Sequence, residues 1–275
     1  LTPVFLSSGP PQGPWWLGPP TGRDPFDRQT EKFRSYPAPP VTAFYEDRQN
    51  RFWVGSLMGL LLFDRTTGST RLLQNDPQDP TSLSSNTVGL LLEDAQGNFW
   101  VGTLNGGLNR FDRETGRFTR FMKNPEDPKS LSSNVVLAMH QAPDGTLWLG
   151  TSGGLNDFDQ GTGTFTAYRE KDGLPNDYVY GILQDDRGHL WLSTNKGIAD
   201  FDPGTHTFKN YDKSDGLQGN EFNQWSFFEG KDGVMYFGGV NGLNVFLPSL
   251  IRANPFQPPI VLLSLIHISE PTRPS

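Results

Sequence analysis

The apolar positions of this chain fall in short runs, each closed by a polar turn, and the same succession of run and turn returns along most of its length. A mostly apolar run such as TVGLLLE, VVLAMHQ or YVYGILQ comes first, then a turn holding glycine, as in EDAQGN, APDGT, DDRGH and GKDGV. Asp or Asn can hydrogen-bond its own turn backbone and Gly can take a positive φ, so these are hairpin turns. The rest of the unit is clearest in Gly97 to Phe121, GNFWVGTLNGGLNRFDRETGRFTRF: G-x-x-W-(V/L)-G-T, then G-L-N-x-F-D, then T-G-x-F-T-x-(F/Y). Aromatic and β-branched residues between closely spaced glycines have the period of short strands, not of helices. The first run alternates weakly, which suits a strand packed on both faces, as the innermost strand of a blade must be.

Placing the tryptophans in register exposes the repeat. Trp16, Trp53, Trp100, Trp148 and Trp191, with Tyr236 in the sixth place, are separated by 37, 47, 48, 43 and 45 residues. Those intervals match the roughly 40–50 residues of a four-stranded propeller blade. Phe26-Asp27, Phe63-Asp64, Phe111-Asp112, Phe158-Asp159 and Phe201-Asp202 follow their tryptophans by 10 or 11 residues, and Phe246-Leu247 keeps the aromatic without the acid. The prediction is an all-β chain, a β-propeller of four-stranded blades with about six blades present, a fragment of a seven-bladed ring. An indole wedged between blades would hold each to the next, so the six aromatics are assigned to the blade core.

The expected division is a propeller over residues 1–248, with blades at 1–40, 41–86, 87–134, 135–177, 178–223 and 224–248. Residues 249–262 then form a linker and the start of a following β-sandwich. The first repeat is damaged, because GPPTGRDP replaces G-L-N-x and proline cannot donate to a sheet ladder. Leu263 to Arg273, LSLIHISEPTR, resembles the translation of a sequencing-library adapter, so residues 263–275 are set aside as a non-native tail. The loops NDPQDPTSLSSN and KNPEDPKSLSSN are nearly duplicate and imply one role in consecutive blades.

Composition narrows the classes. The 275 residues with 35% apolar content can bury a large core, and the 31 glycines and 23 prolines fall at fixed offsets as turn residues. A net charge of -7 with no basic run speaks against nucleic acid. No window approaches the roughly 20 apolar residues of a membrane span, so any membrane link is expected through downstream segments. With no cysteine, neither a disulfide scaffold nor a thiolate metal site is available. The chain begins with Leu, and any signal peptide is expected to lie outside it.

The repeats resemble the two-component regulator propeller family of large bacterial sensors, from about Gly13 to Pro248 and most closely over Val41 to Asp202. LWLGTSGGLNDFD and DGLPNDYVYGILQDDRGHLWLST carry the likeness most clearly. EFNQWSFFEGKDGVMYFGGVNGLNVFLPSLIRANPFQPPIVL is similar to that family's last blade leading into a small β-sandwich known for three tyrosines. Of that sandwich only the opening, Pro258 to Leu262, would be present. The resemblance implies a periplasmic sensory module of a parent in the inner membrane, often a dimer, with a histidine kinase as output and an oligosaccharide as the usual stimulus. No phosphate loop or nucleotide motif occurs, so no kinase activity is expected of this fragment.

Residues suited to catalysis are few and scattered. His140, His189, His206 and His267 occupy unrelated repeat positions and form no metal-ligand spacing, and no metal or cofactor is expected. The Phe-Asp acids could serve as paired carboxylates for glycoside hydrolysis, but their fixed place before T-G reads as a structural turn. A propeller lyase or glycoside hydrolase is the alternative reading, and a protein-interaction platform the second.

For binding, Asn86, Asn134 and Asp177 each lie 14 residues before a tryptophan, just ahead of the innermost strand and on one rim of the channel. With Tyr178, Tyr180, Phe222 and Trp225 they form the candidate site: amides and a carboxylate for hydroxyls, aromatic faces for sugar C–H surfaces. The competing expectation is that these Asn and Asp residues cap turns.

Overall fold

The computed structural model describes residues 39–251 in full and, upstream of them, the backbone of five short strands. These are β1 (Leu6–Ser7), β2 (Trp15–Leu17), β3 (Gly22–Asp27), β4 (Lys32–Phe33) and β5 (Tyr36–Pro37). Five antiparallel blades follow, each a separate sheet made from one unbroken stretch of chain and paired in chain order. The first holds β6 (Val41–Glu46), β7 (Phe52–Ser56), β8 (Gly59–Phe63) and β9 (Thr70–Leu73). The second holds β10 (Val88–Glu93), β11 (Phe99–Thr103), β12 (Leu108–Asp112) and β13 (Arg117–Phe121). The third holds β14 (Val136–Gln141), β15 (Leu147–Thr151), β16 (Gly154–Asp159) and β17 (Thr164–Tyr168). The fourth holds β18 (Val179–Gln184), β19 (Leu190–Thr194), β20 (Gly197–Asp202) and β21 (Thr207–Tyr211). The fifth has three strands among the described residues, β22 (Phe222–Glu229), β23 (Met235–Gly239) and β24 (Gly242–Phe246).

The architecture is the expected all-β propeller, but the blade count is corrected from about six to five. In the damaged first repeat four of the five strands are only two or three residues long, and Pro25 sits inside the remaining one, β3. Proline at that position has no N–H to donate to a neighbouring strand. The side chain of Trp16 and the whole of residues 252–275, including the expected sandwich start and tail, lie outside the described residues.

The first strand of each blade neighbours the first strand of the next, from β6 through β10, β14 and β18 to β22. That run of inner strands explains their weak alternation, since both faces meet protein. The hydrophobic clusters lie between blades. One joins Trp53 and Leu60 to Phe99, Val101 and Phe111; another joins Trp100 and Leu108 to Leu147 and Phe158. Each indole meets the phenylalanine of the next blade's Phe-Asp position: Trp53–Phe111 at 5.5 Å, Trp100–Phe158 at 5.5 Å, Trp148–Phe201 at 5.7 Å and Trp191–Phe246 at 5.0 Å. The four tryptophans are 0–4% exposed. Removing an indole of ~150–250 Å² from water is worth at most about 4–6 kcal/mol, so these joints dominate the cohesion of the array. Tyr236, the sixth aromatic, is only half-buried, with its ring 5.9 Å from Phe228.

A buried indole also needs an acceptor for its N–H. In three blades the turn acid six residues earlier supplies it: Trp53 Nε1 donates to Asp47 Oδ2 at 2.9 Å, Trp100 to Asp94 at 2.8 Å and Trp191 to Asp185 at 3.0 Å. The other carboxylate oxygen of Asp94 accepts from the backbone N–H groups of Gln96 and Asn98, fixing the hairpin. Burial pushes the carboxyls of Asp47 and Asp185 up, but the bonds from Trp53 and Arg51, and from Trp191 and Arg187, outweigh it and hold both below the usual carboxylate range. The corresponding residues of the third and fifth blades are Ala142 and Gly230, which keep the turn through backbone bonds to Thr146 and Val234.

Candidate functional site

The Phe-Asp acids are held in turns. Asp112 Oδ1 accepts from the N–H groups of Glu114 and Thr115 while Oδ2 accepts from the Thr115 hydroxyl at 2.7 Å; Asp64, Asp159 and Asp202 repeat the pattern on Thr67, Thr162 and Thr205. Those hydroxyl and backbone donors hold all four carboxyls below the usual carboxylate range. A general acid for glycoside cleavage requires the opposite shift. The histidines do not converge either. His140 is packed beside Gln184, with its pKa lowered chiefly by burial; His189 Nδ1 lies 2.7 Å from Asp200; His206 sits at a turn with φ 58°. Among the described residues no cluster of His, Cys, Asp and Glu could hold a metal ion.

The predicted rim residues close the loops that join one blade to the next. Asn86 Oδ1 accepts from Asn75 N–H at 2.7 Å, Asn134 Oδ1 from Lys123 at 2.7 Å and Asp177 Oδ1 from Glu170 at 2.8 Å. Asn220, which sequence reasoning missed, accepts from Lys213 at 2.9 Å in the same way. The backbone carbonyls of Asn134, Asp177 and Asn220 also take the N–H of Gly107, Gly154 and Gly197, tying each loop to the blade it leaves. These are turn clamps, as the competing expectation had it. Their position is nonetheless at the start of the inner strands, and the Nδ2 groups of Asn86 and Asn134 have no hydrogen bond among the described residues.

Three residues beyond each clamp the inner strand bulges. In the second, third and fourth blades one residue is left unpaired, Gly89, Leu137 and Tyr180, and in the first it is Thr42. In the fifth the irregularity spans Asn223 to Ser226, opposite Gly238 alone. Trp225 within it adopts φ 59°, a backbone state uncommon for a bulky residue. Its Cζ2 lies 3.7 Å from where a Cβ on Gly89 would stand, so the indole reaches from the fifth blade to the second and packs where glycine leaves room. Gln224 beside it has a fully buried Nε2 with no partner among the described residues. Tyr178 is 44% exposed, 6.1 Å from the half-buried ring of Tyr180. Phe222 is 3% exposed and stacked edge-on to Phe237, which puts it in the core and not at the rim.

The structure therefore brings Tyr178 and Tyr180 together, and places Gln224 and Trp225 in the one inner strand that departs from the repeat. The signal for this was present: clamp and strand aromatic are 14 residues apart in three repeats but 16 apart from Asn220 to Tyr236, a two-residue insertion.

Residues 35–57, 82–105, 130–153 and 173–196 match the family model described as Two component regulator propeller. No curated protein matches the sequence. Among solved structures, the extracellular domain of a protein described as a hybrid two component system of B. thetaiotaomicron is similar at 25% identity and TM-score 0.74, over 90% of this chain and 34% of that one. PorZ, a surface component of the type-IX secretion system of Porphyromonas gingivalis, is similar at 17% identity and TM-score 0.70, over 89% of this chain and 38% of that one. A catalytically inactive virginiamycin B lyase of Staphylococcus aureus, solved with quinupristin, shares the fold at 13% identity and TM-score 0.64, over 89% of this chain and 79% of that one. The chain thus spans little more than a third of the first two. Four stretches of the chain thus match the repeat described as Two component regulator propeller, and its fold is similar to that of an extracellular domain of a two component system.

Proposed function

We propose, taking those repeats as the premise, that this chain is the ligand-sensing part of an extracytoplasmic sensor and that its ligand is an oligosaccharide bound where the inner strands begin. The observation that carries the reading is the enlarged bulge of the fifth blade. Four blades leave one residue unpaired at that point, whereas the fifth presents Asn223 to Ser226. Bulges that re-aim side chains concentrate at functional sites. Gln224 Nε2 supports the reading too, because a buried donor without an acceptor costs about 1–3 kcal/mol that a ligand oxygen would restore. The rings of Tyr178, Tyr180 and Trp225 suit sugar C–H faces, and the Nδ2 groups of Asn86 and Asn134 suit hydroxyls. In this reading the propeller faces the periplasm, the parent is a homodimer in the inner membrane, and binding is relayed downstream to a histidine kinase.

Calorimetric titration of the chain with cellotetraose, xylotetraose, maltotetraose and a chondroitin tetrasaccharide tests it. One of the four is expected to bind with a Kd between about 1 µM and 1 mM. Trp225→Ala and Gln224→Leu are each expected to weaken that binding by roughly tenfold or more while leaving Tm within about 2 °C. No binding by any of the four, or unchanged binding by both variants, overturns the proposal.

A further inference from the structure

The face that the fifth blade turns away from the fourth keeps the residues of a blade joint, yet it stands open to solvent. In the other blades the cross-strand row on this face runs Tyr45–Trp53–Leu62, Leu92–Trp100–Arg110, His140–Trp148–Asp157 and Leu183–Trp191–Asp200. In the fifth it runs Phe228–Tyr236–Val245, so valine stands where three covered faces carry a charged side chain. The next row tells the same story. Leu60, Leu108, Leu155 and Ile198 are 0–1% exposed beneath the following blade, while their counterpart Leu243 is 57% exposed. Opposite three of them a glycine leaves a floor for the following blade's valine: a Cβ on Gly55, Gly102 or Gly150 would lie 3.0, 3.1 or 2.9 Å from Cγ1 of Val88, Val136 or Val179. Gly238 keeps that floor in the fifth blade, but the three atoms nearest to its Cβ position all belong to Ser226 of the same blade.

We propose that this face binds a second copy of the chain, the two fifth blades lying face to face across a two-fold axis. Phe228, Val240, Leu243, Val245 and Leu250 are five of the ten large hydrophobic residues exposed among the described residues, so the apolar surface is gathered on this blade instead of scattered. The face that would complement it, on the first blade, is not on offer. Val41, Phe52 and Phe63 there are 6%, 2% and 2% exposed. Copies therefore cannot stack head to tail, and a molecule with one open face of this kind meets its own equal, which closes the assembly at two. The side-chain sizes suit the reversal that a two-fold axis imposes. Phe228 and Val245 lie at opposite ends of one row, and Ser226 and Leu243 at opposite ends of the other with Gly238 between them. Turned about, the large ring of one copy meets the smaller valine of the other, and Leu243 comes over the serine and glycine floor. This deepens the homodimer part of the proposed reading by naming its surface, and it makes no use of the sugar.

Sedimentation of the 275-residue chain from about 1 to 100 µM, without any sugar, tests it, so this inference and the sugar site can fail separately. The chain is expected to pass from monomer to dimer across that range. Leu243→Asp and Phe228→Ser are each expected to weaken self-association by roughly tenfold or more, and Leu72→Asp, at an exposed leucine of the first blade, to leave it unchanged. All three alter exposed positions, and their Tm values at the lowest concentration should stay within about 2 °C of the unaltered chain. Four results overturn it: a monomer at every concentration, self-association unchanged in both face variants, equal weakening by Leu72→Asp, or growth past the dimer, which would mean head-to-tail contacts.

Discussion

The second and fifth blades come from the same repeat and have been put to different use. In the second, Trp100 is fully buried against Phe158, its N–H satisfied by Asp94, one residue bulges from the inner strand and four strands complete the sheet. In the fifth, Tyr236 replaces the indole, Gly230 the turn acid, four residues bulge opposite one, and the sheet has three strands among the described residues. Cohesion and recognition thus make opposite demands on one repeat. The third blade keeps its buried indole with Ala142 in place of the acid, so the acid is not required of every enclosed blade, whereas the fifth blade exchanges indole, acid and single-residue bulge together.

The contrast is tested most severely by removing the two aromatics. Trp100→Ala is expected to cost roughly 3–5 kcal/mol in chemical denaturation, and Tyr236→Ala about 1 kcal/mol or less, as for a surface site; equal losses would abolish the distinction. A smaller effect is expected from the turn acid. Asp94→Ala should cost roughly 1–3 kcal/mol, because it leaves the Trp100 N–H buried without an acceptor, whereas Gly230→Ala should change little.

The smallest is the pH dependence. Asp47 and Asp185 have folded-state pKa values below their unfolded ones, so their contribution is complete above about pH 5 and is lost as pH falls through the depressed values, below about pH 4. Asp47→Asn should flatten the acid limb of a stability–pH curve. A limb as steep in the variant would show that the acids elsewhere dominate.

Much of the fold was legible because its signals are covalent in spacing. The tryptophans, the Phe-Asp pairs and the glycine turns each recur at set offsets, and the aromatic contact between blades follows from them. The blade count was not legible, since a run such as Trp16 to Phe33 keeps the aromatic spacing while its prolines shorten the ladder. The pairing of Asp47, Asp94 and Asp185 with their indoles was written as D-x5-W, but the hairpin that brings them together is a three-dimensional fact. At the site, Tyr178 and Trp225 were readable as aromatics near an inner strand. Asn220, Gln224 and the burial of Phe222 were hidden by the two-residue insertion, which moves the fifth blade out of step with the others.

Each sheet is completed within one continuous length of chain, so among the described residues no strand is borrowed from another blade. A tandem copying error that repeats about 45 codons therefore adds a whole spoke, already folded to match the spoke before it. The near-twin loops NDPQDPTSLSSN and KNPEDPKSLSSN are what such an event leaves behind, and they make the bore of the wheel a quantity that heredity can change in whole steps.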